Sequence, residues 1–391
     1  MNTAFPADAL TSGSSPVLPP EHAAVRRRVR EFALREIAPH ADAWDEAETF
    51  PLELYRKAAQ AGVLGAGFAA EYGGTGEGLA AKFIVKEELT RFGSGGVRAS
   101  LTSLGIGLPP ILALGHAAMR ERVARPVLAG DKISCLAITE PCGGSDVANL
   151  QTTARREGDH YVVDGSKILI TSGMRADFFT VAVRTGGPGK NGLSLLLIER
   201  DAPGFTQTRL KKTGWWASDT AELRFEGCRV PAENLIGTEN QGFKGMMVNF
   251  NEERLGNSAI MLGAAKACYD ESVNYAKRRE VFGRTIIANQ VIQHKLVDMA
   301  TKILAVDTLL YALAWQSANG EQNAARIAML KNLAAEACEF CAGEAVQIHG
   351  GHGILRGNRV ERLFRESKIL SIGGGSIEIL KDLAARQLDL A

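Results

Sequence analysis

The sequence predicts an α+β chain in three parts: an N-terminal helical domain, a middle antiparallel β-barrel-like domain and a C-terminal four-helix bundle. Three observations predict it. Apolar residues recur at helical spacing in "EHAAVRRRVREFALREIAPHADAW" and in three further runs that end near Gly130. From Lys132 the texture changes to short apolar or alternating runs divided by glycine-rich turns. After "PAENLIG" the helical period returns and continues to the C-terminus. A chain of 391 residues also exceeds one ordinary core.

Taken in order, residues 1–19 are a polar lead with Ser, Gly and Pro, lacking a basic n-region and an apolar h-region. They read as a disordered tail and not as an export signal. Residues 20–131 form the helical domain, with "PLELYRKAAQAGV", "AAKFIVKEELTRF" and "AAMRERVARPVLAG" joined by Gly/Pro-rich segments. Residues 132–240 form the β domain. There "HYVVDGSKILITSG" reads as two short strands about an Asp164–Gly165 hairpin turn, and "FFTVAVRT", "LSLLLIE" and "AELRFEGCRV" add strands. Residues 241–391 open with one very long helix, Gly242 to Phe282, and continue with long helices whose antiparallel packing makes a bundle.

Composition excludes several classes. A net charge of +1 argues against a generally basic nucleic-acid binder. The 46% hydrophobic and 23% charged content is that of a soluble globular protein, and no long uncharged apolar run is read as a membrane span. Six scattered cysteines suit a reducing cytoplasm. Cys338 and Cys341 form a CxxC inside an alanine-rich helical stretch, which fits small core residues better than a redox or zinc pair. His349 and His352 flank two glycines without Cys or carboxylate partners at ligand spacing, so no metal is expected. Gly65, Gly67 and Ala70 match GxGxxA, but a helical run precedes them where a dinucleotide fingerprint needs a strand.

Four segments carry the chemistry. "AITEPCGGSD", Ala137 to Asp146, follows a strand; Gly143 and Gly144 free backbone N–H groups and Ser145 adds a hydroxyl. On its own it is either a cradle for phosphate or a polar cofactor edge, or a capped tight turn. The others are "TGWWASDTAEL" (213–223), "KRREVFG" (277–283) and "QIHGGHGILRGNRVERLFRE" (347–366). With these the chain resembles the acyl-CoA dehydrogenase family, in the family's order, over nearly everything beyond the tail. It departs at Asn149, where a small residue is usual, at Gly357, where an acidic or amide residue is usual, and at Leu169, where many members carry Trp or Phe against the flavin.

The resemblance implies an FAD site. Leu136, Ile138, Thr139, Gly144, Ser145, Leu169 and Thr171 would meet the cofactor from the β domain. Arg279 and Phe282 would serve its pyrophosphate and adenine region, with Gln290, Gln347 and Gly351, usually from a neighbouring subunit. Ser376 and Glu378 would touch it as well. The resemblance further implies a homotetramer, or dimer of dimers, built through the C-terminal bundle, and an electron-transferring flavoprotein as acceptor.

The chemistry it implies is α,β-dehydrogenation of an acyl-CoA thioester to the trans-2-enoyl-CoA, as in fatty acid β-oxidation. That reaction needs a carboxylate base and a hydrogen-bond pair for the enolate. Many members place the base where Gly374 stands here, in "SIGGGSIEI", and glycine cannot be a base. The isovaleryl- and long-chain-type branch draws its carboxylate from the long helix in a Glu-Arg-Leu context, which points to Glu253 in "NEERL". Helical phase aligns Glu253 with Phe250, Asn257, Ile260, Met261 and Ala264, an apolar face that would raise a carboxyl pKa. Glu252 lies about 100° away and is expected to be the solvated one. An ordinary ion pair with Arg254, or with a residue four positions on, is the alternative for Glu253. Gly374 would keep an oxyanion role through its N–H, and Ser145, Phe250, Arg254, Gly374 and Gly375 would meet the substrate. Alternatives on the same fold are an acyl-CoA oxidase, a monooxygenase or a carrier-protein acyl dehydrogenase; a DNA-binding relative is disfavoured by the neutral charge.

Overall fold

The computed structural model describes residues 5–11 and 20–390. The chain forms two compact units, one from residues 1–42, 77–98 and 254–391, the other from 43–76 and 99–253. Of the N-terminal helical stretch, residues 20–42 and 77–98 fall in the first unit and 43–76 and 99–131 in the second.

The second unit is built on an eight-stranded sheet of order β6-β7-β3-β2-β4-β5-β8, with β1 beside β4. The strands are β1 (Ser134–Ala137), β2 (Thr153–Glu157), β3 (His160–Thr171), β4 (Phe178–Arg184), β5 (Leu193–Glu199), β6 (Phe205–Arg209), β7 (Thr220–Pro231) and β8 (Leu235–Ile236). The sheet is open, ending at β6 and β8, so the expected barrel does not close. Pairing is antiparallel except where β1 and β2 meet β4 in parallel. The first six residues of β4 and of β5 are buried without alternation. That is why they read as mostly apolar runs, with Thr180 and Ser194 the polar members.

The Asp164–Gly165 hairpin does not form. β3 runs through both residues as one strand, and the β2–β3 hairpin turns instead at Gly158–Asp159. Gly165 is needed for a close approach: a Cβ there would lie 2.7 Å from the Thr152 Cα, at a register shift against β7. Asp164 accepts a hydrogen bond from the Gly227 N–H at 2.7 Å. The dipeptide marks a bulge and a backbone contact, which share the turn's composition.

The first unit is helical. Its elements include Pro20–Phe32, Leu79–Phe92, Gln290–Ala318, Ala324–His349, Arg359–Ser367 and Ile377–Gln387, with the part of the 37-residue helix Gly242–Arg278 that follows Glu253. A Cβ at Gly263 would lie 2.3 Å from the Glu87 carbonyl oxygen, so glycine lets these two helices touch. Around that crossing the core holds charge. Glu87 accepts from Arg26 at 2.8 Å and from Lys266 at 2.7 Å, and Tyr311 donates to it as well. Burial opposes ionising Glu87, but the Arg26 and Lys266 charges hold it far below the usual carboxylate range.

Residues 5–11 of the expected tail are ordered. Phe5 stacks edge-on against Phe92, the Ala7 N–H donates to Asp270 at 2.7 Å, and Asp8 pairs with Arg30 and Arg91. The remainder of the tail lies outside the described residues. One stretch, Gly95–Leu114, has the length and apolarity of a membrane span, where the sequence reading found none; 61% of its span window is buried inside the protein, as in a core helix.

Candidate active site

In the second unit, the loop after β1 is held by a buried ion pair. Lys167 on β3 donates to the Ile138 carbonyl at 3.1 Å and to the Glu140 carboxylate at 2.8 Å, and the two side chains are 0% and 2% exposed. Glu140 also accepts from the Gln151 N–H at 2.6 Å and the Thr152 N–H at 2.9 Å. Burial raises the Glu140 carboxyl, but the Lys167 charge and these hydrogen bonds reverse the effect and leave it at about 2. Burial also draws the Lys167 ammonium down to about 8, with Glu140 opposing. At neutral pH both remain charged. A backbone bond from the Ile168 N–H to the Thr139 carbonyl, 2.9 Å, closes the clamp.

Just past Lys167 the β3–β7 register shifts, and Leu169 stands at φ +63° with 63% of its surface exposed. A bulky residue in the left-handed region costs of order 1–3 kcal/mol. The following turn is fixed by buried Asp219, which accepts from the Met174 N–H at 2.6 Å and pairs with Arg175. The clamp and this turn bring together one group of the residues singled out in the sequence. Leu136, Ile138, Thr139 and Thr171 are half-buried, while Gly144, Ser145 and Leu169 are exposed. A Cβ at Gly143 would meet nothing within 4 Å, so that side of the loop is open.

Phe250 and Glu253 also belong to this unit. Glu252 and Glu253 are both half-buried, so exposure does not separate them as helical phase led us to expect. The expected face beyond them, Asn257, Ile260, Met261 and Ala264, is buried.

In the first unit, strands β9 (Glu280–Val281) and β10 (Arg284–Thr285) are joined by Phe282 and Gly283, at φ +52° and +77°. Two left-handed residues between paired strands make a type I′ hairpin. The Phe282 ring is wholly exposed, 101% by surface. Phe282 in the left-handed region carries backbone strain. Arg279, Gln290, Gln347 and Gly351 are exposed as well. Arg254 is half-buried.

The glycine stretch lies in the same unit. Gly374 and Gly375 stand at φ +70° and +98°, and the Ser376 hydroxyl caps the helix Ile377–Gln387 by accepting from the Ile379 N–H at 3.4 Å. Hydrogen bonds from its own backbone N–H and from Ser376 lower the exposed Glu378 carboxyl. From the Ala324–His349 helix, Lys331 donates to the Gly375 carbonyl at 2.6 Å and Asn332 to the Ile377 carbonyl at 3.0 Å.

Glu140, Lys167, Asp219 and Lys331 were not singled out from the sequence. For Lys167 a signal existed. Tyr161, Val163 and Lys167 share the inward phase of β3, so a lysine stood at a core position and called for a buried partner.

A glutaryl-CoA dehydrogenase from Mycobacterium smegmatis, solved in complex with FADH2, is 26% identical with a TM-score of 0.91, covering 97% of this chain and 97% of its own. The fold is thus shared with a flavoprotein oxidoreductase. More similar is the crystal structure of a putative acyl-CoA dehydrogenase from M. smegmatis, at 44% identity and TM-score 0.93, covering 95% of this chain and 99% of that one. The acyl-CoA dehydrogenase of Bacillus subtilis (strain 168) is 37% identical over 371 residues, 94% of this chain and 98% of that protein. Family models for the acyl-CoA dehydrogenase N-terminal, middle and C-terminal domains match residues 19–131, 135–228 and 240–388. The chain belongs to the acyl-CoA dehydrogenase family.

Proposed function

We propose that the protein dehydrogenates an acyl-CoA thioester between its α and β carbons, giving the trans-2-enoyl-CoA, with FAD bound and Glu253 as the base. One observation carries the base assignment: position 374 is a left-handed glycine, while "NEERL" places a half-buried carboxylate on the long helix. FAD, when bound, supplies the acceptor for the hydride that leaves the β carbon. Glu253 takes the α-proton. The Gly374 N–H donates to the thioester carbonyl as negative charge develops there. Leu136, Ile138, Thr139, Gly144, Ser145, Leu169 and Thr171 would hold the ring system, and Ser376 and Glu378 its edge. Arg279 would take pyrophosphate oxygens, with Phe282, Gln290, Gln347 and Gly351 beside the adenine region. Ser145, Phe250, Arg254 and Gly375 would line the acyl-CoA.

Oligomerisation belongs to the same reading. Val297, Leu304 and Trp315 are at least half exposed and share one face of the Gln290–Ala318 helix, an apolar line suited to a homotetramer or dimer of dimers built through this region. Six free cysteines fit a reducing cytoplasm, and family resemblance supports fatty acid β-oxidation with an electron-transferring flavoprotein as acceptor. A second reading keeps the fold and changes the reaction: an oxidase would be detected as rapid oxygen consumption.

The test is anaerobic. A panel of acyl-CoAs should bleach the flavin absorbance, and Glu253→Gln should retain FAD but lose bleaching. Flavin reduction by Glu253→Gln at the wild-type rate would show that the base lies elsewhere.

A further inference from the structure

We propose that Lys331 is the positioning residue for the glycine loop, its buried charge fixing the loop's hydrogen-bond donors; this rests on the dehydrogenation reading. Lys331 lies within the Ala324–His349 helix and is 0% exposed. Burying an ammonium costs several kcal/mol unless its charge is met by good partners. Its Nζ donates to the Gly375 carbonyl at 2.6 Å, the short distance of a charge-assisted bond.

The loop needs such a restraint. Gly374 and Gly375 both occupy left-handed backbone and have no side chain by which the core could grip them. Two adjacent residues of one helix grip the backbone instead, Lys331 at Gly375 and Asn332 at Ile377. No peptide bond here is cis, so fixing the Gly375 carbonyl sets the plane of the Gly375–Ser376 peptide and aims the Ser376 N–H away from Lys331. That anchors the chain one residue beyond the Gly374 N–H. A donor oriented before reaction avoids reorganisation when charge appears, and a cation in a low-dielectric interior favours that negative charge. Both effects act on the transition state more than on bound substrate, which separates them from a purely structural role.

The experiment compares Lys331→Met and Lys331→Gln with wild type, each FAD-loaded. The first readout is exchange of the acyl-CoA α-proton in heavy water, with flavin bleaching in parallel. Lys331→Met should slow both by roughly 10- to 100-fold with KM changed less than threefold, and Lys331→Gln, which keeps a donor without the charge, should fall between. The second readout needs no turnover. Amide hydrogen exchange over residues 373–378 should quicken about tenfold in Lys331→Met while the rest of that helical unit is unchanged. The proposal is overturned if either variant exchanges and bleaches within twofold of wild type per bound FAD, even with a lowered melting temperature. It is also overturned if loop protection is unaltered. A wild-type protein that neither exchanges nor bleaches with any acyl-CoA would instead refute the dehydrogenation reading.

Discussion

Lys167→Met tests the clamp beneath the proposed cofactor loop. In the folded protein the Glu140 carboxyl falls from its ordinary 4.5 to about 2. At 1.36 kcal/mol per unit, that displacement corresponds to about 3 kcal/mol favouring the ionised, folded state. Removing one member of a buried pair typically costs ~3–5 kcal/mol, because the other charge is stranded. Glu140 would keep its bonds from Gln151 and Thr152, so we expect about 3 kcal/mol. In a unit of this size that is roughly 6–12 °C in melting temperature. The sign with pH follows from the depressed carboxyl. Its stabilisation is fully present above about 4.5 and is lost as pH falls through about 2, so the gap between wild type and variant should narrow with acid. Lys167, lowered by burial to about 8, acts in a separate window: the unfolded chain binds more protons between about 8 and 10.5, so this group's contribution rises with pH there. The assay is thermal melting by circular dichroism from pH 2 to 7, which spans the window between the two carboxyl values, with FAD content measured in parallel. The double variant Glu140→Gln/Lys167→Met should recover more than half of the loss, since the glutamine oxygen still accepts the two N–H bonds while no charge is stranded. A single variant melting within 1 °C of wild type, or a double variant no better than the single, would refute this account.

Two other outcomes are expected. Lys266→Met should destabilise the helical unit by about 3 kcal/mol, read as a lowered denaturation midpoint, because Lys266 lies between Glu87 and Asp307 at 2.7 and 2.6 Å; Glu87 keeps Arg26, whereas Asp307 loses the ammonium it accepts from. Of the six cysteines, Cys142 alone is exposed, so a thiol reagent should label one site per native chain quickly and the other five only on unfolding. Burial pushes the Cys228 and Cys341 thiols up to about 12, so even transient access should leave them slow to react near neutral pH.

Local pattern was a good guide where structure is locally determined. The helix Gly242–Arg278 was legible because its contacts repeat every three to four residues, and β4 and β5 because short, mostly apolar runs suit strands buried on both faces. It failed where one local signature has two physical causes. Asp164–Gly165 has a turn's composition, but Gly165 is small because Thr152 approaches it. Helical phase expected Glu252 to be the solvated member of its pair with Glu253, yet both are half-buried. The lead sequence looked unstructured, yet Phe5, Ala7 and Asp8 find partners at Phe92, Asp270, Arg30 and Arg91.

By itself the sequence determined the helix–strand–helix order, the glycine loops, the Glu-Arg-Leu context of Glu253 and the membership those motifs imply. Tertiary structure decided how the loops are held. Lys167 meets Glu140 across 27 positions, Lys331 meets Gly375 across 44 and Lys266 meets Glu87 across 179. Helical and strand periodicity reports on neighbours within a few residues, whereas a buried charge is stabilised only by whatever partner the fold delivers, and no local pattern records that.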